Sequence, residues 1–231
     1  MRNRNLFSLM AAVVLFITCQ ASAGVFDHFN NGLLDPAWDV TFQNATGWSY
    51  TESGTNITVH DIAVPNNGQA EVALNQNFLA AGDFQVKCGL SWDSESLPST
   101  LGGVGVRVYS GDQIAAQGGY TDYWTGSNGM KFARIEEPLY MYDGTSGLSY
   151  SGVAEITLKR TSGFVSVLWN DQVMLTGFSN SVVDKLSLIF GKDNYPGGNF
   201  GTLSIDYVTA VPEPATLLLL GLGAVILRRK R

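Results

Sequence analysis

From Asp83 to Trp92 the chain alternates with a period of two. Phe84, Val86, Cys88, Leu90 and Trp92 fall on one side, with Gln85, Lys87 and Ser91 between them. Val104, Val106 and Val108 alternate with Gly105 and Arg107, and the same pattern returns at Leu186, Leu188 and Phe190 and at Leu203, Ile205 and Tyr207. Successive side chains of an extended chain point to opposite sides, so each run predicts a strand with one face buried. Turn chemistry separates the runs at Asn66-Asn67-Gly68, Ala81-Gly82-Asp83, Ser110-Gly111-Asp112, Thr161-Ser162-Gly163 and Pro196-Gly197-Gly198. Between the two ends of the chain no stretch offers three uninterrupted turns of amphipathic helix. There is no internal repeat, and no long linker before Val211. Many short strands joined by glycine-rich turns predict one all-β domain, an antiparallel β-sandwich.

The ends follow other patterns. Arg2 and Arg4 precede an apolar run from Leu6 to Thr18 broken only by Ser8, and Ala21-Ser22-Ala23 places small residues just before Gly24. This is the layout of a signal helix over residues 1–23, cleaved before Gly24. The run is shorter than the about 20 residues an uncleaved anchor needs. Cys19 invites a lipoprotein reading, but Phe16-Ile17-Thr18 lacks the small residue wanted before a lipidated cysteine. At the other end, Val211-Pro212-Glu213-Pro214 leads into Ala215–Leu227, apolar or small apart from Thr216, and then into Arg228-Arg229-Lys230-Arg231. As a helix, residues 215–227 would extend roughly 20 Å, short of the about 30 Å hydrocarbon core. Four adjacent positive charges resist translocation, so they should stay cytoplasmic and leave the rest outside. A short transmembrane helix of this kind suits a temporary anchor.

In these residues the tail resembles the PEP-CTERM sorting domain of Gram-negative bacteria: the triplet Pro212, Glu213, Pro214, then an apolar stretch with Gly221 and Gly223, then the basic cluster Arg228, Arg229, Lys230 and Arg231. The resemblance implies processing near the triplet by an exosortase, a membrane-embedded cysteine protease, and a place among exopolysaccharide-producing, biofilm-forming cells. The chain thus divides into a signal peptide (1–23), a sandwich domain (24–210) and a sorting tail (211–231).

Setting the ends aside changes the charge. Of 14 lysines and arginines, two lie before Gly24 and four in the basic cluster; of 20 acidic residues, one is Glu213. The span between keeps 8 basic against 19 acidic residues, a net charge of −11. A nucleic-acid partner would call for the opposite sign. Such carboxylates keep a domain soluble or could bind calcium. Cys88 is the one cysteine of that span, so it has no disulfide partner, and its apolar alternating run marks it as a buried, inert thiol.

Two passages of the body resemble concanavalin A-like lectin/glucanase domains. Val25–Trp38, with its Asp-Phe opening, Gly-Leu turn and Asp-Pro-Ala-Trp, is similar to their first strand and turn. Glu155–Val173 resembles the paired strands of laminin-G-type members: a basic residue, a glycine turn, and a second strand ending at an asparagine turn. The resemblance implies a jelly roll of two antiparallel sheets, one of them concave.

Glucanases of that fold carry Glu-x-Asp-x-x-Glu on one strand, where alternation brings the acids to one face for nucleophilic and acid roles. That triple is missing here. Asp93-Ser94-Glu95, Glu136-Glu137 and Asp122 come nearest, and adjacent Glu136 and Glu137 would point to opposite faces. His28 reads as a half-exposed strand residue, and His60 has no serine or cysteine motif nearby. No Cys/His cluster suggests zinc, and no glycine-rich loop leading into a helix suggests phosphate binding. Asn44-Ala45-Thr46 and Asn56-Ile57-Thr58 match a glycosylation pattern that carries little meaning in a bacterial protein.

What remains is aromatic and polar loop material. Gly118–Gly129 sets Tyr120, Asp122, Tyr123 and Trp124 among glycines and small polar groups. Sugar rings stack their C–H faces on aromatic rings while Asp and Asn hold hydroxyls, so these four are the candidate saccharide-binding residues. Tyr140-Met141-Tyr142-Asp143-Gly144 and Asp193–Asn199 have similar composition, and their aspartates could offer oxygens to calcium. The leading expectation is an exported, non-enzymatic, lectin-like protein that binds saccharide or packs into extracellular polysaccharide, with no cofactor required. The rivals are a glycan-cleaving enzyme with a rearranged acid pair and a purely structural matrix protein.

Two expectations about the ends are open to test. Mass spectrometry of exported protein should find Gly24 as the first residue; retention of residues 1–23 would overturn this. Replacing Arg228–Arg231 with serine removes the stop charge from a span too short to hold alone. Fractionation should then show the protein lost from its sorting route, and unchanged processing and location would count against it.

Overall fold

The structure, a computed structural model, describes residues 24–64, 68–93, 102–121, 129–136, 139–149, 151–193 and 201–212. In chain order its strands are β1 (Val25–Asp27), β2 (Asp39–Gln43), β3 (Gly47–Ser53), β4 (Asn56–Ala63), β5 (Gln69–Ala80), β6 (Phe84–Asp93), β7 (Gly102–Ser110) and β8 (Gln113–Thr121). They continue with β9 (Gly129–Ile135), β10 (Leu139–Leu148), β11 (Ser151–Thr161), β12 (Phe164–Trp169), β13 (Gln172–Phe178), β14 (Val183–Asp193) and β15 (Thr202–Pro212). Every pairing is antiparallel. One sheet runs β13-β12-β11-β6-β15-β4-β3, with β1 added beside β15; the other runs β10-β9-β8-β7-β14-β5-β2. The described residues contain no helix, and so none long and apolar enough to cross a membrane. The expected signal helix (1–23) and the tail beyond Pro212 lie outside the described residues.

The alternation read from the sequence becomes the seam between the sheets. Phe84, Val86, Cys88, Leu90 and Trp92 of β6 are buried, facing Val104, Val106 and Val108 of β7 and Leu186, Leu188 and Phe190 of β14. Burial of each such side chain is worth about 1.5–3 kcal/mol. The sheets pack tightly at Gly118, where an added Cβ would come within 2.8 Å of Val167 Cγ1 and 2.9 Å of Ile156 Cγ2. Cys88 is fully buried, and burial pushes its thiol pKa well above the ordinary value, which keeps it unreactive.

The two passages with a family resemblance are tight local structures. Asp27 accepts the Trp38 indole N–H at 2.7 Å and the Phe29 N–H at 2.8 Å, closing the loop after β1. His28, just past β1, is exposed rather than part of the strand. Between β11 and β12, Ser162 and Gly163 both take positive φ, as do Asn170 and Asp171 between β12 and β13. Consecutive left-handed residues make the two-residue turns whose twist matches a hairpin.

Arg160 staples one pole of the sandwich. It is buried, lies 4.9 Å from the Phe84 ring centroid, and donates to Ala80 O at 2.9 Å, Gly82 O at 2.7 Å and Ser181 O. Ala80 ends β5, Gly82 lies in the β5–β6 turn and Ser181 precedes β14, so one guanidinium ties these segments together. Arg160→Ala should therefore lower stability by about 2–4 kcal/mol, since one buried and two part-buried acceptors lose a partner together. The shift of the urea midpoint measures this, and a change under 1 kcal/mol, within what a surface substitution causes, would refute it.

Candidate functional site

With Val104, Val106 and Val108 turned into the core, Gly103, Gly105, Arg107 and Tyr109 of β7 face the other way. Cross-strand register carries that face across the whole sheet. Arg107 pairs with Ser187, which pairs with Asn75, which pairs with Asp39; in the other direction Arg107 pairs with Gln117, Gln117 with Arg134, and Arg134 with Tyr140. One residue from each of six strands, β2 to β9 across the sheet, thus stands in a single polar row, and the register continues to Tyr140 of β10.

Hydrogen bonds tie the middle of the row together. Arg107 donates from Nη1 and Nη2 to the two oxygens of Glu71 at 2.8 and 2.9 Å, from Nε to Gln117 Oε1 at 3.1 Å, and from Nη1 to the Tyr109 hydroxyl at 2.8 Å. The bidentate pair reaches over β14, where Ser187 and Gly191 are small enough to let two long side chains meet. Burial works against the guanidinium's charge, yet the adjacent Glu71 outweighs it and holds the Arg107 pKa above its ordinary value. Ser187 donates to Asn75 Oδ1, and Asn75 Nδ2 donates to Thr41 Oγ1 at 2.8 Å. Lys185 Nζ lies 4.1 Å from the Tyr109 ring centroid.

Beside the polar row the floor is almost bare. Gly105 and Gly119 are register partners, and Phe132, the partner of Gly119 on β9, lays its ring over them. A Cβ on Gly119 would come 2.9 Å from Phe132 Cε1 and 2.3 Å from Val104 O. The result is an open depression of about 390 Å³ lined by Gln43, Glu71, Arg107, Gln117, Phe132 and Arg134. A second, of about 250 Å³, continues past Arg107 along Thr41, Asn75, Tyr109 and Lys185. A flat aromatic face next to amide and guanidinium groups suits a ligand with both apolar C–H faces and hydroxyls.

Carboxylates are sparse on this face. Glu71 has both oxygens on Arg107. Asp39 stands opposite Asn75, four residues along β5 from Glu71, which by strand geometry separates the two backbones by about 14 Å. Among the described residues no group of three or more His, Cys, Asp or Glu is placed to hold a metal ion.

The saccharide residues expected from sequence fare unequally. Asp122, Tyr123 and Trp124 lie outside the described residues. Tyr120 is a correction: it is fully buried, its ring stacked on Trp92 at 4.5 Å and 12°. The glycine-rich stretch looked like one loop, but β8 continues to Thr121 and β9 begins at Gly129. Alternation from Gln117 and Gly119 therefore turns Tyr120 inward, and bare Gly129 makes room for its ring. Of the other expected carboxylates, Asp93 ends β6, exposed, and Glu136 accepts the hydroxyls of Ser179 and Ser181, the latter at 2.7 Å. Tyr140–Gly144 lie on β10, and Asp193 ends β14; the described residues give their backbone only. Pro212 closes β15; Glu213, Pro214 and Arg228–Arg231 lie outside.

A second polar cluster sits on the outer face of the eight-stranded sheet. Glu155 accepts from Lys87 Nζ at 2.6 Å and from the Tyr207 hydroxyl, whose ring lies against Gly89. Burial alone would raise the Glu155 pKa, but the hydrogen bonds from Lys87 and Tyr207 prevail and lower it. Both its oxygens are occupied, which fits an internal brace.

Comparison with known proteins agrees with both ends of this description. Residues 210–231 match the PEP-CTERM protein-sorting motif. No curated protein sequence matches the chain. Among solved structures, a β-1,3-glucanase from Mycobacterium marinum is similar at 10% identity and a TM-score of 0.55, over 80% of this chain and 97% of that one. A pseudo-β-1,3-glucanase of Mycobacterium tuberculosis is similar at 8% identity and 0.53, over 82% and 98%. The carbohydrate recognition domain of Emp47p is similar at 11% identity and 0.54, over 82% and 94%. The likeness is one of fold alone: the body is an antiparallel two-sheet β-sandwich, as in those lectin-type and glucanase structures. The tail is the recognition signal of an exosortase and marks an exported, surface-sorted protein.

The Glu155 cluster predicts a pH dependence. A carboxylate whose pKa is lower folded than unfolded stabilises the fold above its unfolded value, about 4.3, and loses that contribution as pH falls through the folded value. Melting temperature should drop on acidification from pH 5 to 3, and Glu155→Gln should show a shallower drop. Parallel acid slopes for the two proteins would refute the assignment.

Proposed function

We propose that the mature chain is a non-enzymatic, saccharide-binding surface protein that holds glycan across the outer face of its seven-stranded sheet. The observation that carries this reading is the in-register polar row centred on Arg107, lying beside the Phe132 ring on its glycine floor. A sugar ring laid on Phe132 would present hydroxyls to Gln117 and Arg134 at one edge. Asp122, Tyr123 and Trp124 follow in sequence from β8, the strand that supplies Gln117, and belong to the same proposal. The tail supports a temporary membrane anchor, exosortase processing, and delivery into extracellular polysaccharide.

Hydrolysis is the weaker reading. A glycosidase needs two carboxyl groups about 5 or 6.5–9.5 Å apart, whereas Glu71 is held in its bidentate pair and Asp39 stands at the far end of the row. Binding through stacking and hydroxyl contacts needs no metal.

A glycan array on the exported, processed protein, with and without calcium, tests the proposal. Phe132→Ala and Trp124→Ala should each weaken binding about fivefold, the worth of one stacking face at about 1 kcal/mol. The melting temperature should stay within a few degrees, and EDTA should change nothing. Unaltered binding by Phe132→Ala would remove the sheet face from consideration. Release of new reducing ends from a bound glycan, abolished by Glu71→Gln, would establish the enzymatic reading instead.

A further inference from the structure

We propose that the pole of the sandwich where β15 ends rests on a lipid bilayer while the C-terminal tail is inserted; this builds on the tail's membrane role and not on saccharide binding. β15 is hydrogen-bonded as far as Pro212, which pairs with Phe84. Only Glu213 and Pro214 separate it from the apolar run that starts at Ala215. Three residues of extended chain reach at most about 10 Å, so the body has no linker on which to stand away from the membrane. Residues 215–227 are themselves short for a bilayer, which draws the body closer still. β1 pairs with the end of β15, Val25 opposite Ala210, so Gly24 leaves from the same pole.

That pole is apolar where an exposed end of a sandwich is ordinarily polar. Phe26 (66% exposed) and Val211 lie on β1 and β15. Across the sheet, Phe84 pairs with Arg160, Thr161 with Phe164, and Phe164 with Phe178, whose rings meet edge to face at 5.6 Å and are more than half exposed. Leu79 and Val182 flank the Ala80–Val183 pair on the facing sheet and are also exposed.

Several charges nearby are tied by hydrogen bonds, while Asp112 and Asp184 stay exposed. Arg160 is buried on carbonyls, Asp83 accepts the Ser162 N–H, and Glu136 accepts from Ser179 and Ser181. Asp184 accepts the Gly111 N–H at the turn that also carries Asp112, on the seven-stranded side. Six exposed apolar side chains, at the point where the chain runs into a hydrophobic segment, fit the interface of a bilayer.

Full-length chain carrying Cys19→Ser can be labelled through single cysteines with an environment-sensitive fluorophore, since Cys88 is buried. The test positions are Phe164→Cys and Phe178→Cys. Val153→Cys, exposed and apolar toward the opposite pole, and Val173→Cys, exposed and apolar at the far end of the β12–β13 hairpin, are the controls, and Leu219→Cys reports the tail. In phosphatidylethanolamine/phosphatidylglycerol vesicles holding headgroup spin-labelled lipid, an apolar face seated about 5–10 Å into the interface should be quenched at least about threefold more at 164 and 178 than at 153 and 173. Equal quenching at both poles overturns the proposal, as does an unquenched 219, which would remove the insertion it depends on. A surface meant for another protein would stay unquenched in these protein-free vesicles and overturn it too. Unsubstituted chain with a diazirine lipid provides a second measurement. Carbene adducts should appear on peptides holding Phe26, Phe164 and Phe178, and adducts confined to residues 213–231 are the contrary result.

Discussion

When Val104, Val106 and Val108 commit to the core, Gly105 and Arg107 have no choice but to face outward, and the same holds on each strand of the seven-stranded sheet. Alternation is therefore the constraint on which the polar face depends. A slip of one residue in β7 would bury Arg107 in the core between the sheets and expose three valines, at a cost no local interaction could offset. Because the core fixes every strand's phase, antiparallel register then aligns Asp39, Asn75, Ser187, Arg107, Gln117, Arg134 and Tyr140 without any further device.

Placing an arginine in the middle of a sheet face carries a desolvation cost that only good geometry recovers. Glu71 supplies it with two parallel hydrogen bonds, and Gln117 and Tyr109 take further donors. The consequence is a locally neutral surface in a body whose net charge is −11. It presents amides, a guanidinium edge and aromatic rings, and it keeps its carboxylate engaged. That chemistry suits hydroxyl-rich ligands better than cations, and it sets this face apart from the acidic remainder of the domain.

β15 links the fold to its delivery. It is flanked by β6 along its whole length on one side, and by β4 and then β1 on the other. The sorting triplet begins at its last paired residue. A strand held on both sides presents no free edge to a protease, so the folded body sets where the tail becomes accessible. Gly24 and the sorting tail leave the body side by side, at one end of the domain.

The sequence alone settled what depends on local periodicity and on short ordered motifs. Strands through Phe84–Trp92, Val104–Val108, Leu186–Phe190 and Leu203–Tyr207, the inert Cys88, the β-sandwich and the sorting tail could all be read from spacing, because a period of two and a triplet–apolar–basic order are properties of neighbouring residues. The fate of Tyr120 could not. Aromatics among glycines resemble a loop until the phase of β8 shows that Tyr120 shares the inward side with Ala116 and Gly118, and stacks on Trp92 from the other sheet. Nor could the Arg107–Glu71 pair be read, since its members are 36 residues apart and two strands removed, joined only by a register that long-range pairing decides. The arginine between two valines was visible, but which residues would stand beside it, and that they would form a surface at all, was fixed by tertiary structure, because cross-strand neighbours are chosen by the packing of a shared core rather than by the chain that carries them.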